Sequence, residues 1–381
     1  MSPIVIIGSG LAGYSLARSL RKRDATTPLT LITADGGEFY AKPNLSNALA
    51  QGRTAAQLAS ETAGQAAARL DATILRHTRV SAIDRERKRL HTDQGDLAYG
   101  RLVLALGADP IPHGLAGEGA DKVYAVNDLD DYARFRAALA GKKRVAILGG
   151  GLIGCEFAND LAASGHAVEV VHLGSWPLER LVPEAVGRAL AAGLAERGVA
   201  WQFGHTARSV EAAGEGVALV LDDGRRVEAD LVLSAIGLRS RTAMAQAAGL
   251  AVKRGIVVDR QLRTSDPDIH AMGDCAEVEG LVLPYVQPLL AQARTLSAVL
   301  TGEAARLDYP AMPVVVKTPA SPLVVAPPPQ GAAGAWQVEQ TAKGQIARYL
   351  DPDGRLLGVA LGGGETDQRL QYAQQLPAML A

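Results

Sequence analysis

Apolar positions in this chain come in short aliphatic blocks, most of them closed by glycine and several followed by a stretch with helical spacing. IVIIGSGLAGYSLARSL near the start predicts strand, glycine turn and helix, and VAILGGGLIGCEFANDLAASG from Val145 repeats that plan. A second aliphatic strand follows each of them, at 29–33 and at 168–173. LVLALGADP (102–110) and LVLSAIGLR (231–239) both finish in Ala-x-Gly, where glycine lets the backbone turn sharply or approach a ligand. Gly36-Gly37 and Asp223-Gly224 mark turns, the latter closing a hairpin. The stretch from 255 predicts two short strands joined by a polar turn, and 289–300 predicts an amphipathic helix. After Asp308 the pattern becomes β-rich with closely spaced prolines, which belong at edges or turns, and hairpin-like segments follow around Trp336 and Tyr349. Two strand–turn–helix–strand units predict the α/β class, with two Rossmann-like dinucleotide-binding domains and a small β-rich C-terminal domain.

Composition supports that division. A chain of 381 residues exceeds one ordinary core and predicts two or three domains. With 48% hydrophobic but only 4% aromatic residues, the cores must be aliphatic, as suits helices packed on parallel sheets. A formal charge of −1 gives no global pull toward nucleic acid or a membrane surface. A strand begins at Ile4, leaving no room for a signal peptide, and no apolar run approaches the roughly 20 residues of a membrane span. Cys155 and Cys275 form no framework, metal pair or CxxC, which fits a reducing cytoplasm.

The chemistry lies in the glycine turns. Gly8-Ser9-Gly10-Leu11-Ala12-Gly13 follows a strand and opens a helix, the context in which the backbone and helix N-terminus receive a pyrophosphate. The usual ribose-binding acid at the end of the second strand is absent; Thr33 stands there, with Asp35 two residues on. Gly149-Gly150-Gly151-Leu152-Ile153-Gly154 repeats the fingerprint, and Glu156 follows, as a first-turn partner of the helix dipole or facing an arriving nicotinamide. His172 ends the next strand in place of an acid, and no arginine lies within Leu173–Pro177 to grip a 2′-phosphate. NADH is therefore favoured, and NADPH stays open.

The segment TSDPDIHAMGDCAEV (264–278), with Gly273-Asp274 after an aliphatic strand, resembles the two-dinucleotide flavoprotein disulfide-reductase superfamily. That resemblance covers about residues 1–310. It implies an FAD domain split between 1–112 and 241–310, with an NAD(P)H domain at 113–240 inserted and a C-terminal domain at 311–381. It also implies Asp274 as a ligand of the flavin ribitol chain. Where disulfide reductases carry redox cysteines this chain has Tyr40-Ala41-Lys42-Pro43-Asn44-Leu45-Ser46, and its two cysteines are expected to be packed and inert. Y-x-KP-x-LS is similar to the corresponding stretch of ferredoxin and rubredoxin reductases. MPVVVKTPASPLVVAPPP is similar to rubredoxin reductases, and less closely to flavorubredoxin reductases.

These likenesses imply an FAD enzyme that takes hydride from NADH at flavin N5 and passes electrons singly to rubredoxin, with ferredoxin or a flavorubredoxin-type protein as alternative acceptors. Lys42 and Lys317 are implied near the flavin, and Glu156 near N5 and the nicotinamide. Asn47 occupies the place of a lysine that pairs with the glutamate in many ferredoxin reductases, so Lys42 or Lys317 must serve instead. The cofactor-binding set carried over comprises Gly8, Ser9, Gly10, Leu11, Ala12, Gly13, Thr33, Ala34, Lys42, Val80, Gly107, Gly149, Gly151, Gly154, Glu156, Gly237, Gly273, Asp274, Val286 and Lys317. The helix starting near Tyr285-Val286-Gln287 is implied to point at the flavin. No metal, nucleic-acid or membrane partner is implied, and a cytoplasmic monomer is expected.

Overall fold

The four residues Ile4–Ile7 are all buried, as expected of a strand covered on both faces. In the computed structural model, which describes residues 3–381, they form the centre of a five-stranded parallel sheet. Its order is Ile269–Ala271, Arg101–Leu104, Ile4–Ile7, Leu29–Ile32, Thr73–Leu75. The helix Leu11–Arg21 returns from the first strand with Tyr14, Leu16, Ala17 and Leu20 buried, and packs against the helix Val286–Leu300. A meander of Val80–Asp84, Arg89–Thr92 and Leu97–Ala98, not foreseen from the sequence, completes this unit. The unit comprises the chain up to Lys42, Ala59–Asp109 and Leu238–Tyr309.

The second unit comprises Pro43–Leu58, Pro110–Gly237 and Pro310–Ala381. Its parallel sheet runs in the order Val199–Phe203, Ala167–His172, Arg144–Leu148, Leu231–Ser234, Val123–Tyr124. An antiparallel sheet of Ala207–Ala213, Gly216–Leu221 and Arg226–Ala229 packs on it, with Val210, Val217, Leu219 and Val227 meeting Ala146, Leu148, Val171 and Val232. The Asp223-Gly224 turn closes the second hairpin of that sheet. The proline-rich tail builds a five-stranded sheet of Val314–Val316, Leu323–Ala326, Leu356–Gly363, Gly344–Leu350 and Ala335–Gln340, with all its prolines outside the strands. Tyr372 of the helix Arg369–Gln375 seals its core against Val324, Val359 and Leu361.

Beyond shifts of a few residues the two units depart from the sequence expectation at two places: the tail from Pro310, expected as a separate domain, falls in the second unit, and so does 43–58, expected in the first module. Asp160 holds that segment in the second unit: its two carboxylate oxygens accept the N–H groups of Leu49 (2.9 Å) and Ala50 (3.0 Å). Tyr132 donates to the Arg53 carbonyl at 2.7 Å, and Arg136 donates to Arg53 and Gly52. Among the described residues no helix is long and apolar enough to cross a membrane.

One buried group in the first unit gives a pH signature. His270, on the strand Ile269–Ala271, is 2% exposed and its Nδ1 has no hydrogen-bond partner among the described residues. Burial, aided by the charges of Arg101 and Arg263, pushes its pKa down to about 4. The unfolded imidazole binds its proton near pH 6.5, so the native state loses stability as pH falls from there toward 4, by about 3 kcal/mol in total. Urea titrations at pH 7 and pH 4 should show this loss, and His270→Leu should remove it. An unchanged pH dependence in the variant would assign the acid loss to other groups.

Candidate functional site

Both glycine fingerprints fold the same way. Gly8 and Gly149 end their strands at φ +116° and +100°, a backbone that side chains other than hydrogen rarely adopt. A Cβ on Gly13 would overlap the Gly8 carbonyl oxygen, and one on Gly154 would overlap that of Gly149, so both helices lie against their turns. Gly10 and Gly151 are different: a Cβ there would meet nothing within 4 Å. Each is an N-cap in extended conformation with no side-chain cap, so the first N–H groups of Leu11–Arg21 and Leu152–Ala163 face open space. That is the shape and polarity a dinucleotide pyrophosphate requires.

The first unit gathers further predicted residues around its fingerprint. Thr33 and Ser9 donate to Asp35 Oδ1, which also accepts the Gly37 N–H at 2.9 Å. Asp35 therefore stands beside the glycine loop in the place of the missing strand-end acid. Its position two residues into the loop was the available signal. Thr78 donates its N–H to the Thr33 carbonyl at 2.8 Å, which brings Val80 close, while Ala34 is exposed. Gly273 lies against Ala12, and its N–H donates to Gln292 at 2.6 Å, so Gly273-Asp274 is fixed between the helices Leu11–Arg21 and Val286–Leu300. Burial pushes the Asp274 carboxyl above its usual range, and nearby Lys42 opposes that shift. Val286 opens its helix behind Tyr285, without a side-chain cap. Gly107, at φ +73°, accepts the Arg241 N–H at 3.0 Å. The donors, the acids and the open Gly10 face suit FAD.

In the second unit Gly149, Gly151 and Gly154 form the matching loop, and Gly237 lies three residues beyond the neighbouring strand Leu231–Ser234, its carbonyl accepting the Ile111 N–H at 3.0 Å. Glu156 does not occupy the first helical turn, because the helix begins at Leu152; dipole pairing is therefore not its role. It is 7% exposed, and three groups converge on it. Ser46 donates its hydroxyl to Oε2 at 2.7 Å, the Lys317 N–H donates to Oε1 at 3.2 Å, and Lys317 Nζ pairs with Oε2. Lys317 Nζ also reaches Ser46 Oγ at 2.8 Å. Lys317 is thus a partner of Glu156 through both its ammonium and its backbone N–H. One turn further along the helix, Asn159 Oδ1 accepts the Ala320 N–H at 3.1 Å. The helix face Glu156–Asn159–Asp160 thereby fastens residues 46–50 and 317–320 at once. Ser46 and Asp160 went unnoticed as partners in the sequence, although Ser46 lay within the Y-x-KP-x-LS motif.

Neither cysteine can act as a redox relay. Cys155 and Cys275 are free and fully buried; burial raises both thiols, that of Cys275 to about 11.

Comparison with known proteins agrees with this arrangement. The pyridine nucleotide-disulphide oxidoreductase family matches residues 2–296, and the rubredoxin binding C-terminal domain matches residues 306–376. The chain is similar to a rubredoxin-NAD(+) reductase of Alcanivorax borkumensis, 46% identical over the whole of both chains. It is also similar to a nitric oxide reductase FlRd-NAD(+) reductase of Aeromonas hydrophila, 40% identical over 98% of this chain and 96% of that one. Among solved structures, the covalent putidaredoxin reductase–putidaredoxin complex superposes with a TM-score of 0.88 at 29% identity, covering 99% of this chain and 94% of that one.

Proposed function

The chain belongs to the pyridine nucleotide-disulphide oxidoreductase family, and from that premise we propose that it oxidises NADH through bound FAD and delivers the electrons singly to rubredoxin. The observation that carries this is the union, in one chain, of two dinucleotide fingerprints with a C-terminal stretch matching the rubredoxin binding domain. FAD, when bound, supplies a centre that accepts a hydride and releases electrons one at a time.

The residues then have distinct tasks. Gly10 and the first turn of Leu11–Arg21 receive the FAD pyrophosphate, Asp35 takes its ribose, and Asp274 holds the ribitol. Gly151 and the first turn of Leu152–Ala163 receive the pyrophosphate of NADH. Glu156 orients the nicotinamide carboxamide. Ser46 and Lys317 act through Glu156 as positioning residues, holding its carboxylate in one place. With both thiols buried and protonated, electrons must leave without passing through cysteine. Unpaired cysteines of this kind fit a cytoplasmic protein.

An anaerobic visible spectrum tests the whole scheme. NADH should bleach a flavin band, and oxidised rubredoxin should restore it while losing its own colour. Restoration by ferredoxin but not by rubredoxin would move the acceptor. The absence of a flavin band, even after added FAD, would remove the function altogether.

A further inference from the structure

The second unit has no acid at the end of the strand Ala167–His172, where an NADH site commonly has one. His172 cannot replace it. Its Nδ1 accepts the Gly150 N–H at 3.1 Å, so its Nε2–H donates to the Trp176 carbonyl, also at 3.1 Å. Both ring nitrogens are spent within the loop, and burial lowers the imidazole's pKa and keeps the ring neutral.

The chain beyond His172 supplies a carboxylate from elsewhere. Leu178, buried and at φ +59°, donates its N–H to the Gly150 carbonyl at 2.9 Å. The left-handed region strains a leucine, and the loop returns to the glycine turn in spite of it. The return brings Glu179 back over the strand end. Its Oε2 accepts the Ser175 N–H at 3.0 Å, and the exposed carboxylate lies against Gly174, where a Cβ would meet it. Among the described residues Oε1 has no hydrogen-bond partner and is open to a ligand hydroxyl. Beside it Leu173 is 71% exposed, an apolar surface next to the position of a bound adenosine.

Resting on the function proposed above, we infer that Glu179 selects the pyridine nucleotide: its carboxylate accepts the adenosine 2′-hydroxyl of NADH and repels the 2′-phosphate of NADPH. A phosphate brings a charge of about −1.5 to −2 toward that carboxylate. The neighbouring Arg180 is a competing cation, exposed and without a hydrogen bond among the described residues. Glu179 is anchored to the strand-end loop by Ser175 and Arg180 is not, so the carboxylate governs the choice.

Calorimetric titration of the FAD-loaded protein with ADP-ribose and with 2′-phospho-ADP-ribose tests this without turnover. The unmodified protein should prefer ADP-ribose, Glu179→Gln should lose about tenfold or more of that preference, and Glu179→Arg should reverse it, with kcat/KM for NADH and NADPH following. An unchanged preference in Glu179→Gln overturns the assignment. So does a preference for the phosphorylated fragment that Arg180→Ala abolishes, since the selector is then Arg180. If the unmodified protein binds neither fragment, both this inference and the function beneath it fall.

Discussion

Lys317→Met is expected to cost about 2–3 kcal/mol of stability and to slow flavin reduction by NADH about tenfold or more. Glu156 is buried, and the substitution leaves its charge with only the Ser46 hydroxyl and one backbone N–H. Removing one member of a fully buried pair costs 3–5 kcal/mol in general. Lys317 keeps 26% of its side chain exposed, which places this pair below that range. Adding Glu156→Gln should recover most of the stability but not the rate, because the neutral amide no longer needs a cation. Urea unfolding of the single and double variants, with stopped-flow flavin reduction, separates the two effects. An unchanged urea midpoint in Lys317→Met would mean that water, not the ammonium, balances Glu156.

The second large effect concerns two glycines three positions apart. Gly13→Ala should yield protein without FAD and destabilised by about 3 kcal/mol or more, because its methyl group would enter the Gly8 carbonyl oxygen and the backbone there has no room to yield. Gly10→Ala should leave the apoprotein's melting temperature near that of the unmodified chain, since its Cβ meets only open space. It should nevertheless lose FAD, because that space is where the pyrophosphate approaches the backbone. Flavin absorbance per protein, set beside apoprotein melting curves, tells the two apart. Gly10→Ala protein that retains FAD as tightly as the parent would show that the loop does not hold the phosphates.

The glycine loops and the aliphatic strands were legible because each is written locally. A turn with positive φ calls for glycine, and a strand covered on both faces calls for an unbroken aliphatic run. The Glu156–Lys317 pair was not legible in that way: its members lie 161 positions apart, and Lys42 was an equal candidate on charge alone. Asp35 was visible only as an acid two residues late, since a side chain in a loop reaches the glycine turn by a path no strand period encodes. The meander at 80–98 alternates too weakly to announce itself, with only Val80, Ile83 and Leu90 buried. The allocation of 43–58 depended on Asp160, whose partners are backbone amides and therefore leave no trace in side-chain identity.

The helix face formed by Glu156, Asn159 and Asp160 also constrains how such proteins can be recombined. Grafting the tail of a relative onto this chain, to redirect it to another electron carrier, transplants Lys317 and the Ala320 amide away from the helix they evolved with. A chimaera would need the donor's residues at 46, 156 and 159 as well. The unit of exchange is therefore the tail together with its docking helix and the segment 46–50.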